Sequence, residues 1–307
     1  MRRKNTWAVQ NINTIMTSRS VNSLFYPHVH LLSQGLWNEL RYPNTLKPLL
    51  KYLNINYTKI GDHSWWEKEY SEVIPEEVYN PPKIAIFFHV AVIGRYKNRL
   101  IEYFTKLKKS DLLRKATYIF LNYIGDEESF DFLSEFKIYN NIIPQRVSTK
   151  LEDFELPSLN NLYHFCIQNS EFNVLYIHTK GVHRDINPCI DDWVEYMTYF
   201  LINKWKLCLD NLSKYDTVGV DLRDYPIWHY SGNFWWTKSD YIKTLPEPLE
   251  FNSLEKYPNP INSLRHNQEF WICYNKGKNL TLWDSGINCY ERHLHRYSVE
   301  LYQLDTR

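Results

Sequence analysis

The sequence predicts an α/β protein in which a mostly parallel central sheet follows a less regular N-terminal region. Short, nearly continuous apolar runs, typical of strands covered on both faces, occur at 83–93, 116–124 and 173–179. Segments with apolar residues at helical spacing separate these runs. Strands that alternate with helices in this way indicate βαβ units and therefore a largely parallel sheet.

The boundary of the α/β domain is predicted at the proline pair Pro81 and Pro82, because neither residue can continue a helix. Residues 1–82 are expected to form an irregular accessory region with a short helix at 45–53. Residues 83–307 are expected to form the main domain.

The first half of the main domain alternates regularly between strands and helices. The predicted strands are 83–93, 116–124, 141–143 and 173–179, and the predicted helices are 98–108, 127–136 and a third that begins at 156. Ser158 is the candidate N-cap of this third helix, directly after Pro157. In parallel sheets ligands bind outside the carboxyl ends of the strands, so polar residues at those ends are the first candidates for a site.

The second half has a different pattern. The sequence predicts one long helix at 191–212, a strand at 215–222 and a helix at 265–274 that carries Glu269. The stretch 228–246 is dense in aromatic residues. In the tail, His293 and His295 have the spacing of residues that point the same way on a strand.

Charge and cysteine content exclude several classes of protein. The formal net charge of +1 argues against a general nucleic-acid binder, which has a strongly basic face or tail. The five cysteines are an odd number without C-x-x-C spacing, which favours reduced thiols over disulfides or a zinc site. No apolar run has signal-peptide length or approaches the roughly 20 residues of a membrane span. We therefore expect a soluble, cytoplasmic protein that has no transmembrane segment and does not bind nucleic acid.

A polar cluster follows the strand at 173–179. His178, Lys180, Gly181 and Arg184, together with His183, suit an anion, because cationic side chains neutralise phosphate and glycine lets the backbone approach it. The alternative is a loop of solvated cations. His89 and Asp126, at the ends of the first two strands, are predicted to line the same pocket, although His89 can equally be a satisfied core histidine.

The same cluster matches the H-x-K-x-x-x-x-D pattern of phospholipase D-type phosphodiesterases through His178, Lys180 and Asp185. Those enzymes use a histidine nucleophile and a lysine that holds phosphate. The sequence departs from the pattern because the residues between Lys180 and Asp185, which should be largely apolar, include His183 and Arg184. A second H-x-K is also absent from the sequence, so two copies of the motif would require a dimer. A phosphodiesterase is therefore the less favoured alternative.

The order of the blocks LPSLNNLYHFC, VLYIHTKG, YDTVGVD and HYSGNFWWTKSDYIKTLP resembles a family of bacterial and viral glycosyltransferase-like proteins over residues 83–275. It is also similar to the rhamnan-synthesis type of sugar transferase. The resemblance implies a GT-A-like nucleotide-sugar-binding fold, a nucleotide-sugar donor as co-substrate, a glycan acceptor and a role in glycan synthesis. Where GT-A enzymes carry a metal-binding Asp-x-Asp, this sequence has His178-Thr179-Lys180. Charged lysine does not ligate Mg²⁺ or Mn²⁺, so no metal ligand is predicted and metal dependence stays open.

The resemblance also implies roles for later residues. Glu269 is the expected general base, and Asp192, beside Asp191, is the substitute unless it only caps the long helix. The expected wall for donor sugar and acceptor consists of His229, Asn233, Trp235 and Trp236. At least one of the two tryptophans is expected in the core, because adjacent strand residues point to opposite faces. Inversion or retention and the oligomeric state stay open, and the main alternative function is a non-catalytic sugar-binding protein.

Overall fold

The computed structural model describes residues 82–126, 136, 138–182, 186–259, 261–288 and 290–303, and every structural statement below concerns these residues. The predicted accessory region up to residue 81, most of the predicted helix at 127–136, and the cluster residues His183, Arg184 and Asp185 lie outside them.

The described chain forms a seven-stranded mixed sheet in the order β3-β2-β1-β4-β8-β5-β9. Its strands are β1 Lys83–Ala91, β2 Tyr118–Ile124, β3 Ile142–Ser148, β4 Phe172–His178, β5 Thr217–Gly219, β8 Trp235–Lys238 and β9 Asn279–Thr281. Two further strands, β6 Leu222–Arg223 and β7 His229–Tyr230, pair with each other. Only β8 runs antiparallel to its neighbours within the large sheet, so the predicted α/β class with a mostly parallel central sheet is confirmed.

Eight α-helices connect or cover these strands in the described part. They are α1 Tyr96–Lys109, α2 Leu112–Lys115, α3 Leu156–Gln168, α4 Pro188–Thr198, α5 Trp205–Leu212, α6 Ser239–Ile242, α7 Pro248–Phe251 and α8 Leu264–Phe270. Single 3₁₀ turns occur at Leu151–Asp153, Trp271–Cys273 and Val299–Leu301.

The two faces of the sheet bury separate cores, which explains the continuous apolar runs in the sequence. On β1, Ile86 and Phe88 belong to the core that contains α1, whereas Ala85 and Phe87 belong to the core that contains α3. All residues from 84 to 90 are buried. A strand covered on both sides has no polar alternation, because neither face meets water.

The predicted long helix is interrupted. After α4 the chain makes a π-helical segment, Tyr199–Asn203, before α5 begins. The predicted strand at 215–222 is also split, because Asp221 adopts a left-handed φ of 51° between β5 and β6. In the tail, residues 290–294 form turns instead of a strand, and Arg292, not His293 or His295, is the side chain buried there.

None of the described helices is long and apolar enough to cross a membrane. The four described cysteines, Cys166, Cys189, Cys208 and Cys273, are free thiols.

Candidate active site

A row of polar side chains crosses the carboxyl ends of the parallel strands. His89 on β1 lies in register with Asn122 on β2 and with His178 on β4. Registered residues of parallel strands point to the same face, so the three side chains share the face that α3 covers. Thr179 ties two of these ends together, since its Oγ1 accepts a hydrogen bond from the Ala91 N–H at 3.0 Å.

His89 is a buried histidine with a side-chain partner. Its Nδ1 lies 2.8 Å from Ser158 Oγ. Burial lowers the pKa of His89 to about 4, and the neighbouring Glu155 opposes that shift. Ser158 therefore lies inside α3 as the partner of His89 and is not the N-cap of the helix, which is Glu155.

His178 is held in one tautomer by the backbone. Its Nε2 lies 3.0 Å from the carbonyl oxygen of Gly232. Because a carbonyl only accepts hydrogen bonds, Nε2 carries the ring proton and Nδ1 is the acceptor in the neutral ring. Burial, followed by the charge of Lys180, lowers the pKa of His178 to about 3. The ring is therefore neutral near pH 7. It packs edge-to-face against the Phe234 ring, with 4.9 Å between the ring centroids.

Glu155 is the acidic member of the site that sequence reasoning missed. Its Oε2 accepts hydrogen bonds from the Tyr176 hydroxyl at 2.8 Å and from Asn233 Nδ2 at 2.7 Å. Its Oε1 lies 3.7 Å from His178 Nε2. The available signal was a carboxylate directly before the helix LPSLNN, at the position where an acidic side chain suits the helix dipole.

Asn233 has a different role from the predicted one. It is buried with a left-handed φ of 56°, and its Oδ1 accepts from Trp235 Nε1 at 2.8 Å while its Nδ2 donates to Glu155. Both ends of the amide are thus used inside the protein. Asn233 positions Glu155 instead of reading a ligand hydroxyl.

Glu269 lies near three residues of this site. Its charge raises the pKa values of His178 and His229, although burial lowers both by more, and it also contributes to the raised pKa of Tyr176. The side chain is half-buried on α8. Within the described part of the chain its carboxylate has no hydrogen bond or ion pair. The structure therefore brings the predicted base to the strand ends.

His229 faces the same region and is also fixed by the backbone. It is buried, and its Nδ1 lies 2.7 Å from the Ile227 carbonyl oxygen. The proton of neutral His229 is therefore on Nδ1, and Nε2 is the acceptor. Burial lowers the pKa of His229, followed in size by the opposing effect of the bond to Ile227.

Lys180 and Gly181 follow the end of β4. The Lys180 Nζ lies 4.0 Å from the centroid of the Trp193 ring. Gly181 has a φ of 72°, and a Cβ there would come within 2.6 Å of Ile190 Cγ2. Glycine is thus required for the backbone to turn at this point.

The two predicted stacking residues, Trp235 and Trp236, are core residues. Both are fully buried, and they lie in the two cores on opposite sides of the sheet. Trp235 stacks on Tyr176 at 5.0 Å, and Trp236 Nε1 donates to the Leu201 carbonyl at 2.8 Å. The expectation that at least one of them lies in the core is thus confirmed, and neither buried ring offers a face to a sugar in this structure, so their expected place in the sugar-binding wall is wrong.

Asp192, the predicted substitute base, fastens the tail in this structure. Its Oδ2 accepts from Arg296 Nε at 2.5 Å and from the Tyr297 N–H at 2.9 Å. Although burial opposes the effect, these contacts hold the pKa of Asp192 below its ordinary value. Asp191 is similarly paired with Arg95 and Arg99.

Asp126 and the residues that follow β4 were predicted to line a pocket without metal ligands. Asp126 is exposed beyond the end of β2 and makes no hydrogen bond or ion pair with the described residues. Over the described ranges, no group of three or more histidine, cysteine or acidic side chains is placed to hold a metal ion. The residues that end β4 do not fit a divalent cation, because the charged Lys180 has no lone pair to donate.

Comparisons with known proteins give a family and two distant structural similarities. No curated protein matches the sequence. One similar solved structure is a protein described as a nucleotide-diphospho-sugar transferase from Desulfovibrio desulfuricans, with a TM-score of 0.36, 12% identity, and coverage of 66% of this chain and 80% of that one. Another is residues 1–349 of S. aureus TarS, with a TM-score of 0.36, 11% identity, and coverage of 69% and 63% respectively.

The family model matches residues 90–278, which include His178, Glu155, Asn233 and Glu269. Since this match spans more than half of the chain, the protein belongs to the family described as Domain of unknown function, DUF8361.

Proposed function

We propose that this protein is a glycosyltransferase that moves a sugar from a nucleotide-sugar donor to a hydroxyl group of a saccharide or other acceptor. One observation carries the proposal: Glu269, without a hydrogen bond or ion pair in the described chain, is close enough to His178 and His229 for its charge to raise their pKa values. His178 lies at the carboxyl end of its strand, where ligands of parallel α/β sheets bind.

The two carboxylates of the site suit different tasks. Glu155 already accepts two hydrogen bonds on one oxygen, so it orders Tyr176 and Asn233. Glu269 is the carboxylate that can accept a proton from a hydroxyl group. A positioned general base of this kind accelerates a reaction by about 10²–10⁴-fold.

The proposed reaction is a single displacement. The acceptor hydroxyl gives its proton to Glu269 while its oxygen forms a bond to the anomeric carbon of the donor sugar. The bond between that carbon and the diphosphate oxygen breaks, and the electron pair leaves with the nucleoside diphosphate. This chemistry inverts the anomeric configuration, since the acceptor attacks opposite the leaving group.

Lys180 is the proposed counter-charge for the leaving diphosphate. It follows the strand end at the position of the polar cluster, and Gly181 permits close approach of the backbone. An ammonium group can meet phosphate oxygens directly. We therefore propose that donor binding persists without a divalent metal.

The phosphodiesterase alternative receives less support from the site. It needs an accessible nitrogen of His178 as nucleophile, yet Nε2 is bonded to the Gly232 carbonyl and the side chain that carries Nδ1 is only 11% exposed. It also gives no role to Glu269.

A thermal-shift screen of nucleoside diphosphates and nucleotide sugars, each with EDTA and with Mn²⁺, tests the proposal. We expect at least one ligand to raise the melting temperature in EDTA, because a ligand that binds the folded state stabilises it by mass action. Lys180→Ala should abolish that shift, measured against its own ligand-free melting temperature. Lys214→Ala, which changes an exposed lysine, is the matched control and should retain it.

Stabilisation that requires Mn²⁺ would contradict the proposed role of Lys180. A protein that responds to no nucleotide and no nucleotide sugar would contradict the proposed function. A response to free sugars alone would instead favour the non-catalytic sugar-binding protein.

A further inference from the structure

Arg292 is a fully buried arginine without hydrogen-bond partners in the described chain. Its side chain has no exposed surface, and Nε, Nη1 and Nη2 all lack a partner within the described residues. The nearest carboxylate oxygen, Asp221 Oδ2, lies 3.8 Å from Nε, beyond hydrogen-bond distance. A buried guanidinium with five unsatisfied N–H groups is energetically costly.

Aromatic rings surround this guanidinium. Its central carbon lies 4.8 Å from the ring centroid of Tyr297, 5.4 Å from that of Tyr196 and 5.7 Å from that of Trp193. The faces of such rings attract a cation, but they leave the N–H groups without acceptors. The rings therefore stabilise the charge of Arg292 without satisfying its hydrogen bonds.

Asp221 cannot supply the missing acceptors in this arrangement. Its Oδ1 accepts from the Ser285 N–H at 2.6 Å, from Arg223 Nη2 at 3.0 Å and from the Tyr196 hydroxyl at 3.3 Å. Its Oδ2 accepts from Ser285 Oγ at 2.9 Å. The carboxylate is thus bonded to four other donors, and its nearest oxygen lies too far from Arg292 Nε for a hydrogen bond.

Two more buried donors without partners in the described chain belong to residues that contact Arg292 or Asp221. They are Trp193 Nε1 and Ser231 Oγ. Ser231 is hydrogen-bonded to Asp221, because its backbone N–H donates to the backbone carbonyl of Asp221 at 3.0 Å. The next residue, Gly232, packs so closely on Trp193 that a Cβ would lie 3.1 Å from its Cζ2, the atom beside the N–H edge of the ring. Arg292, Trp193, Ser231 and Asp221 therefore form one connected group.

This group adjoins the candidate active site on two sides. The Gly232 carbonyl is the partner of His178, and the Trp193 ring is the partner of the Lys180 ammonium. All three unpartnered groups can donate hydrogen bonds, and one of them is a cation. An oxyanion is the ligand that satisfies such a set, and a guanidinium fork matches phosphate in particular.

We propose that Arg292, Trp193 Nε1 and Ser231 Oγ form a binding site for a phosphate oxyanion next to the candidate active site. The phosphate belongs either to a nucleotide donor or to a phosphorylated acceptor. Its assignment to the donor rests on the proposed function, whereas the binding of phosphate itself does not.

Thermal unfolding with sodium phosphate, against sodium chloride at equal ionic strength, tests this site on the full chain. Phosphate at about ten times its dissociation constant should raise the melting temperature by about 3–5 °C. Arg292→Met removes one partner of the 3.8 Å contact with Asp221, which keeps Arg223 and Ser285 as donors, so its phosphate response is measured against its own phosphate-free melting temperature. It should lose the phosphate response, whereas Arg114→Met, at an exposed arginine, should keep it.

Ser231→Ala is a second variant that keeps the cation. It should weaken phosphate binding by roughly tenfold, the usual size of a hydrogen bond to a charged group. If Arg292→Met does not fold, this variant carries the test. An unchanged phosphate response in Ser231→Ala would then overturn the proposal.

Two further probes distinguish the source of the phosphate. A nucleoside diphosphate and a hexose 6-phosphate are compared on wild-type and Arg292→Met protein, and the probe whose effect depends on Arg292 identifies the ligand. A wild-type protein that responds to neither probe nor to inorganic phosphate would overturn the proposal. A phosphate response without any nucleotide-sugar response would support this site and contradict the proposed function separately.

Discussion

Two histidines on neighbouring strands, His89 and His178, have pKa values lowered by the same physical cause. Burial is the largest cause of their lowered pKa values, about 4 and about 3 respectively, from an ordinary value of 6.5. Each ring also has one fixed partner, Ser158 for His89 and the Gly232 carbonyl for His178. Both rings are therefore neutral in the folded protein at pH values where they would be charged in the unfolded chain.

This difference predicts acid sensitivity between pH 6.5 and about 4. As the pH falls through this window, the unfolded state takes up protons that the folded state does not, so the free energy of unfolding decreases. Each histidine should contribute a slope of about 1.4 kcal/mol per pH unit. Urea unfolding at several pH values measures the slope.

His89→Gln should reduce that slope by about 1.4 kcal/mol per pH unit. His295→Gln is the control, because its side chain is 54% exposed, and it should leave the slope unchanged. A slope that stays the same in His89→Gln would mean that this imidazole titrates normally in the folded protein.

At the scale of elements, the turn between β7 and β8 connects the sheet to the site. Gly232 lies in this turn with a φ of 98°, and a Cβ there would come within 2.5 Å of Met197 Sδ on α4. Its carbonyl accepts a hydrogen bond from His178 Nε2, and the following residue, Asn233, donates a hydrogen bond to Glu155. One turn thus fixes the orientations of a histidine and a carboxylate that come from two other segments.

We expect Gly232→Ala to destabilise the protein by about 2–4 kcal/mol, since a left-handed φ and a steric clash add. Gly286→Ala is the matched control, because Gly286 has a φ of 71° but no described atom within 4 Å of the position that a Cβ would occupy. It should cost about 1–2 kcal/mol from the backbone conformation alone. If Gly232→Ala and Gly286→Ala lower the free energy of unfolding in urea by the same amount, the contact between position 232 and Met197 is not tight.

The helix α4 illustrates an element whose role depends on distant sequence. Its Asp192 fastens the tail through Arg296, 104 residues further along the chain, and its Trp193 contacts both Lys180 and Arg292. Helical periodicity predicts that such a helix exists. The periodicity does not reveal that Asp192 pairs with Arg296 in the tail. For that reason the sequence alone left a catalytic role open for Asp192.

Over the whole molecule, the sequence predicted the parallel half of the sheet best. The strands β1, β2 and β4 are covered on both faces, so their apolar runs are continuous and easily recognised. The short strands β5 to β9 were harder to predict, because two to four residues are too few for a period to emerge.

The candidate site was partly predictable, because the continuous apolar runs show where the buried strands end. His89, His178 and Lys180 follow directly from where the apolar strands end. Glu155 depends on a contact with Asn233 across 78 residues, and Arg292 depends on aromatic rings from α4 and the tail. Contacts of this kind arise from the tertiary fold and leave no local pattern in the sequence.

The most direct test of the proposed function measures nucleoside diphosphate release from a panel of nucleotide sugars, with water or a saccharide as acceptor. Wild-type protein should consume at least one donor, and Glu269→Gln should lower turnover by about 10²–10⁴-fold while its melting temperature and donor-induced thermal shift remain unchanged. Glu255→Gln, at an exposed carboxylate, should turn over the donor like the wild type. A Glu269→Gln variant as active as the wild type, or a wild-type protein that consumes no donor, would contradict the account.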